Sequence, residues 1–229
     1  MAAPRSASIQ RIALLAGATG LIGRALLPLL VASDRHRAVH VLLRRAMRGL
    51  ESDRKLTLHR VDFTHLPEPF PAVNDVFIAL GTTIKVAGSQ AAFRHVDFDF
   101  VVNTARAACA AGATRLAVVS ALGADARSRV FYNRVKGEMQ AAVAALGYES
   151  VVIAQPSLLM GDRAALGHPL RPGEVWGARL FAPIMGLVPK SVRPIEAGTV
   201  AKAMLAASLV GEPGVHILGS GQMQDSAMR

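Results

Sequence analysis

Apolar residues along this chain gather in short, near-continuous runs, and most of these runs alternate with stretches of helical period. Arg11–Ala16 reads as the first strand and Leu21–Ala32 as the helix after it, with Pro28 inside that helix predicting a kink or early fraying. Ser33–Ala38 reads as a polar turn. Val39–Arg44, Leu56–Val61, Asp75–Leu80, Arg115–Ser120 and Ser150–Ala154 read as strands two to six. Residues 46–55 are too short and polar for a full crossover helix. Alanine-rich Ala87–Ala111 has helical period with a bend expected near Asp97–Asp99, and Arg129–Leu146 reads as a second long helix. Ala197–Leu209 reads as the last helix and Val215–Leu218 as a last short strand. Buried runs alternating with helices predict a parallel sheet covered on both faces. The expected fold class is α/β: a Rossmann-type, doubly wound parallel sheet over 10–220. It forms a single domain with a small irregular C-terminal substrate region at 158–194. Residues 1–9 and 221–229 are expected to be flexible ends.

The first strand runs into three glycines spaced three apart, Gly17, Gly20 and Gly23, in IALLAGATGLIG. Strand, glycine turn and helix start together form a dinucleotide-binding fingerprint. Gly17 permits the tight turn, Gly20 lets a pyrophosphate approach the backbone, and Gly23 lets the helix pack on the strand. The N–H groups around the helix start, at Thr19, Leu21 and Ile22, then face the phosphates. The end of strand two selects the cofactor. An acid there binds the ribose 2′-hydroxyl of NAD, whereas this chain has Arg44 and Arg45. Guanidinium groups pair with a 2′-phosphate in bidentate fashion, so NADP(H) is expected over NAD(H). Asp62, after strand three, faces the adenine or caps the turn. Leu80, Gly81, Thr82 and Thr83, after strand four, are expected beside the nicotinamide ribose. Pro156 and Ser157, after strand six, complete the expected cofactor contacts.

Composition narrows this picture. The chain has 229 residues, 52% hydrophobic and 18% charged, which supports a large core and argues against disorder. The one cysteine, Cys109, excludes a disulfide framework and reads as a small filler of an alanine-rich helix. The seven histidines are scattered, and no metal site is expected. The net charge of +10 comes without an arginine-rich block or a nucleic-acid-binding motif. It therefore reads as a dispersed basic surface plus arginines serving an anionic cofactor, with no nucleic-acid partner. The span 12–32 mimics a signal peptide or membrane helix, but its glycines, Arg24 and Pro28 break the run. A soluble, cytoplasmic protein with no membrane contact is expected, as a monomer or homodimer.

The second constellation is Tyr132-Asn133-Arg134-Val135-Lys136. Tyrosine and lysine four apart share a helix face, and Ser120 at the end of strand five can reach the same edge. Beside a nicotinamide, these three make a proton-transfer device. The tyrosine exchanges a proton with the carbonyl or alcohol oxygen, while a nearby ammonium favours the charged form of a phenol. Ser120 would donate a hydrogen bond to the substrate oxygen. The irregular stretch 161–194 follows strand six, and Arg163, Arg171 and Trp176 are expected at the substrate opening.

GATGLIG, the ALGTT turn, VVSALGA and YNRVK together resemble the short-chain dehydrogenase/reductase superfamily. More narrowly, AGSQAAFRHVDFDFVV, FYNRVKGEMQ, QPSLLMGDR and RPGE resemble its atypical NAD(P)-binding branch, the group that contains the Tat-interacting tumour-suppressor protein. The resemblance covers roughly residues 10–205. It implies NADP-linked carbonyl or alcohol chemistry with Ser120, Tyr132 and Lys136 in the roles above, and Lys136 also holding the nicotinamide ribose hydroxyls. It further implies a fourth residue, an asparagine on the helix after strand four, for which Asn103 is the candidate. Relatives commonly carry arginine where this chain has Gln155. The branch also includes NADP-binding sensors, so a non-catalytic regulator acting through a protein partner is the alternative to an oxidoreductase. An epimerase or dehydratase is a third reading.

Overall fold

The structure is a computed structural model and describes residues 10–45, 53–160 and 189–226. The apolar runs form the strands β1 (Arg11–Ala16), β2 (His36–Leu43), β3 (Leu56–Arg60), β4 (Asp75–Ile78), β5 (Arg115–Val119) and β6 (Ser150–Gln155). With β9 (Gly214–Gly219) they make one seven-stranded, all-parallel sheet in the order β3-β2-β1-β4-β5-β6-β9. The order reverses between β1 and β4, so the crevice at their carboxyl ends is the switch point where such sheets take ligands.

Alternate strand residues enter two separate cores, one on each face. Ala13 and Leu15 of β1, Val39, Val41 and Leu43 of β2 and Phe77 of β4 pack with α1 (Leu21–Ala32) and α6 (Ala197–Val210). Leu14, Ala16, Leu42, Val76 and Ile78 pack on the other face with α4 (Val101–Ala110) and α5 (Phe131–Ala144). Period-2 strands buried on both faces account for the near-continuous apolar runs.

Several boundaries move for identifiable reasons. Pro28 sits on the exposed side of α1, and the helix continues past it to Ala32 as a single element. β2 begins at His36, inside the stretch read as a turn. His36 is buried there because its Nε2 meets Asp75 Oδ2 at 3.0 Å, while Arg11 Nε donates to the same oxygen at 2.7 Å. Burial alone raises the Asp75 carboxyl, but hydrogen bonds from His36 and Arg11 outweigh it and hold the group below its ordinary range. This clasp fastens β1, β2 and β4 at their amino ends, opposite the ligand edge.

The segment read as one helix is four pieces: α2 (Ile84–Ala87), α3 (Gln90–Arg94), a π-helical stretch His95–Phe100, and α4. Gly88, at φ +87°, ends α2, and the Ser89 hydroxyl caps α3 by accepting from the Ala92 N–H at 3.0 Å. The π stretch lies where a bend was expected.

After β6 the chain gives β7 (Leu159–Met160), which pairs in parallel with β8 (Ile195–Glu196). The expected flexible end at 221–229 needs correcting. Residues 220–226 form a further helix, α7 (Ser220–Ser226), because Met223 is fully buried against the face that holds α6.

Candidate active site

The glycine turn sits at the switch point, and each glycine can be tested by the space a side chain would need. Gly17 has φ +96°, and a Cβ there would lie 2.5 Å from the Ala79 carbonyl of the neighbouring strand end. A Cβ on Gly23 would lie 2.0 Å from the Gly17 oxygen, so only glycine lets α1 close on the turn. Gly20 is different: its Cβ would touch nothing nearer than 3.5 Å. The backbone packing does not require glycine there, and the space beside it is open to a ligand. Gly20 is also the N-cap of α1 and provides no side-chain hydrogen bond to it. Thr19 is exposed, Leu21 half-buried and Ile22 buried in the first turn. A bare helix start facing an open glycine fits the pyrophosphate of a dinucleotide.

Around this cradle, Arg44 and Arg45 follow β2 at the carboxyl edge, and both side chains are exposed. The Asp62 carboxylate caps its own turn, accepting from the Thr64 N–H at 2.9 Å. That backbone hydrogen bond holds the carboxyl below its ordinary range. After β4, Leu80 is half-buried on the α4 face of the sheet. The Thr82 N–H donates to Asp97 Oδ2 at 2.8 Å, and the Thr83 hydroxyl caps α2 by accepting from the Val86 N–H at 3.2 Å.

The Tyr132–Lys136 pair lies on α5 one turn apart, as the spacing requires. Tyr132 packs on the buried ring of Phe93, with centroids 5.3 Å apart. The Lys136 side chain is 4% exposed, and its Nζ lies 2.7 Å from Asp97 Oδ1. Gly137 brings the helix in: a Cβ there would lie 2.1 Å from the Ala126 nitrogen, so α5 is pressed against the loop after β5.

The structure does not join Ser120 to Tyr132. The Ser120 Oγ accepts from Gln140 Nε2 at 2.6 Å, two turns further along α5, and Gln140 Oε1 accepts from Gln155 Nε2 at 3.1 Å. Asn103 is also placed elsewhere. Its side-chain oxygen accepts from Arg106 at 3.1 Å, and it lines an open groove under the loop Thr64–Phe70. The polar side chain that reaches Lys136 from this region is Asp97, on the π-helical stretch. Pro156 is buried and its carbonyl accepts from the Leu122 N–H, while the Ser157 hydroxyl donates to the Arg193 carbonyl and meets Ser220 Oγ at 2.8 Å. Ser157 thereby ties the C-terminal helix to the sheet edge. Arg163, Arg171 and Trp176 lie outside the described residues.

Sequence reasoning missed Asp97, Gln140, Gly137 and Phe93. Asp97 left a signal. It sits four residues from both Phe93 and Val101 on a helical stretch whose other members at this spacing are buried. An acid on a buried stripe needs a partner.

A protein-family model described as NAD(P)H-binding matches residues 17–158 of this chain. The chain belongs to that family. It is similar to the protein HTATIP2 of Rattus norvegicus, at 35% identity over 215 residues, covering 91% of this chain and 82% of that protein. It is also similar to the protein fmp52, mitochondrial, of Emericella nidulans, at 33% identity over 208 residues, covering 85% of this chain and 86% of that protein. Among solved structures, the Bordetella bronchiseptica enzyme WbmG in complex with NAD superposes with a TM-score of 0.67 at 17% identity, covering 98% of this chain and 77% of that one. At that identity the likeness shows the fold alone, and it agrees with the Rossmann-type sheet. The chain is thus an NAD(P)-binding protein. The expected cytoplasmic location is corrected: seven fungal relatives are named as mitochondrial, which points away from a purely cytoplasmic protein. No helix among the described residues is long and apolar enough to cross a membrane. That tests spanning, whereas a compartment is set by an address that hydropathy does not read.

Proposed function

We propose that this protein is an NADP(H)-linked oxidoreductase acting on a small or medium carbonyl or alcohol substrate. The observation that carries the reading is the placement of Tyr132 and Lys136 on one face of α5, with the Lys136 ammonium held against the turn after β4 beside the glycine cradle. The glycine turn holds the pyrophosphate, Arg44 and Arg45 hold the 2′-phosphate, and Lys136 holds the nicotinamide ribose hydroxyls. When bound, NADPH supplies the hydride. Tyr132 delivers the proton to the carbonyl oxygen in reduction and removes it from the alcohol in oxidation. Gln140 already donates to Ser120 Oγ, so that hydroxyl keeps its own hydrogen for the substrate oxygen. In this reading the substrate oxygen sits between the Ser120 and Tyr132 hydroxyls.

The test is a panel of aldehydes and ketones with the purified protein and NADPH, followed at the nicotinamide absorbance. Oxidation of NADPH that depends on one class of carbonyl supports the reading. Tight NADPH binding with no carbonyl-dependent oxidation across the panel argues against it.

A further inference from the structure

Asp97 and Lys136 form the deepest ion pair near the ligand edge, with side chains 1% and 4% exposed and Oδ1 and Nζ 2.7 Å apart. The pair is tied to the β4 turn twice. Asp97 Oδ2 accepts from the Thr82 N–H at 2.8 Å, and a Cβ on Gly81 would stand 3.3 Å from Asp97 Oδ1 and 3.8 Å from Lys136 Nζ. The β4 turn brings Gly81 and Thr82 to the pair, and neither titrates. On α5 the neighbouring titratable group is Tyr132, one turn away. On the π stretch the other titratable groups, His95 and Asp99, bond each other at 2.9 Å and are nearly half exposed. Asp97 is therefore the anionic partner that the structure gives this ammonium.

A buried ammonium without a counter-charge sheds its proton, because burial disfavours the charged form. We infer that Asp97 is a positioning residue that keeps Lys136 protonated and aimed at the cofactor ribose, so that NADPH binding persists into alkaline solution. With its side chain 1% exposed and its carboxylate on the Lys136 ammonium, Asp97 acts through Lys136. The inference rests on the proposed function, which makes Lys136 a cofactor contact.

The test is the NADPH dissociation constant of the full-length protein between pH 7 and pH 9, for the unmodified protein, Asp97→Asn and Lys136→Met. The unmodified protein should vary by less than about threefold. Asp97→Asn should bind within about threefold of it at pH 7 and at least about tenfold more weakly at pH 9, as the unpaired amine loses its proton. Lys136→Met should be weak at both. A flat profile for Asp97→Asn overturns the inference while leaving the proposed function standing. Failure of the unmodified protein to bind NADPH overturns both. Stability gives a second readout that needs no cofactor. Asp97→Asn should lower the melting temperature, and adding Lys136→Met should recover most of the loss, because no buried charge is then left unpaired. A double variant no more stable than Asp97→Asn alone also overturns the inference.

Discussion

His40 on β2 and His59 on β3 share a hydrogen bond of 2.8 Å, with ring planes within 14° of each other. Burial lowers the proton affinity of both, and at His40 the charge of His59 adds to it. The unfolded chain therefore binds more protons than the folded one below the ordinary histidine value of about 6.5. The pair contributes its full stability above that pH and loses it as pH falls towards the lowered folded values. Replacing both by glutamine should shrink the drop in melting temperature between pH 7.5 and pH 5.5; an unchanged drop would exclude the pair as its source. Arg44 and Arg45 make the second prediction at this scale. The unmodified protein should bind NADPH at least tenfold more tightly than NADH, a difference of about 1.4 kcal/mol, and replacing both arginines by alanine should remove most of it. Equal affinities for the two cofactors at moderate salt would refute the assignment. Single residues were unevenly legible. The glycines, Tyr132 and Lys136 announce themselves by spacing, whereas Asn103 was named because the family resemblance implies an asparagine on that helix, and Asp97 was not considered. Asp97 shares the four-residue spacing of buried Phe93 and Val101, and that signal was passed over.

Elements were legible where one physical cause dominated. The strands of the sheet's centre are buried on both faces, so their apolar runs stand out. β2 was started late because His36 looks like a turn residue until Asp75 is known to receive it. α7 was missed because SGQMQDS carries one apolar residue, and that residue, Met223, is the anchor. The glycine turn allows a test of what each element needs. Gly20→Val adds bulk where the protein leaves space, so the fold should survive and NADPH binding should fail. Gly23→Ala drives a methyl into the Gly17 carbonyl, so it should cost about 1–3 kcal/mol, in line with overpacking elsewhere. Thermal melts and NADPH titrations on the two variants separate the cases. A stable Gly20→Val protein that binds NADPH normally would move the site elsewhere.

At the scale of the whole molecule, the switch point between β1 and β4 gathers the glycine cradle, the turn after β4 and the Lys136 side of α5 at one edge of the sheet. The clasp of Arg11, His36 and Asp75 stiffens the opposite edge. The basic charge is not evenly spread. Arg35, Arg37, Arg44, Arg45, Arg54 and Arg60 are all exposed on β2, β3 and their flanks, opposed there among the described residues by Asp34, Asp53 and Asp62. An anionic dinucleotide approaching that flank meets a favourable field. The sheet and its ligand edge followed from the alternation of runs, but the substrate side did not, because 158–194 has no period to read. Catalysis by Tyr132 is the central claim, and steady-state NADPH oxidation by the unmodified protein and by Tyr132→Phe tests it most directly. The variant keeps the ring on Phe93 and should keep NADPH affinity. Its turnover should fall by roughly the 10²–10⁴-fold that a positioned acid contributes. Turnover within about threefold of the unmodified protein, on the same carbonyl, would contradict the account, since no factor near that of a general acid would then belong to this hydroxyl.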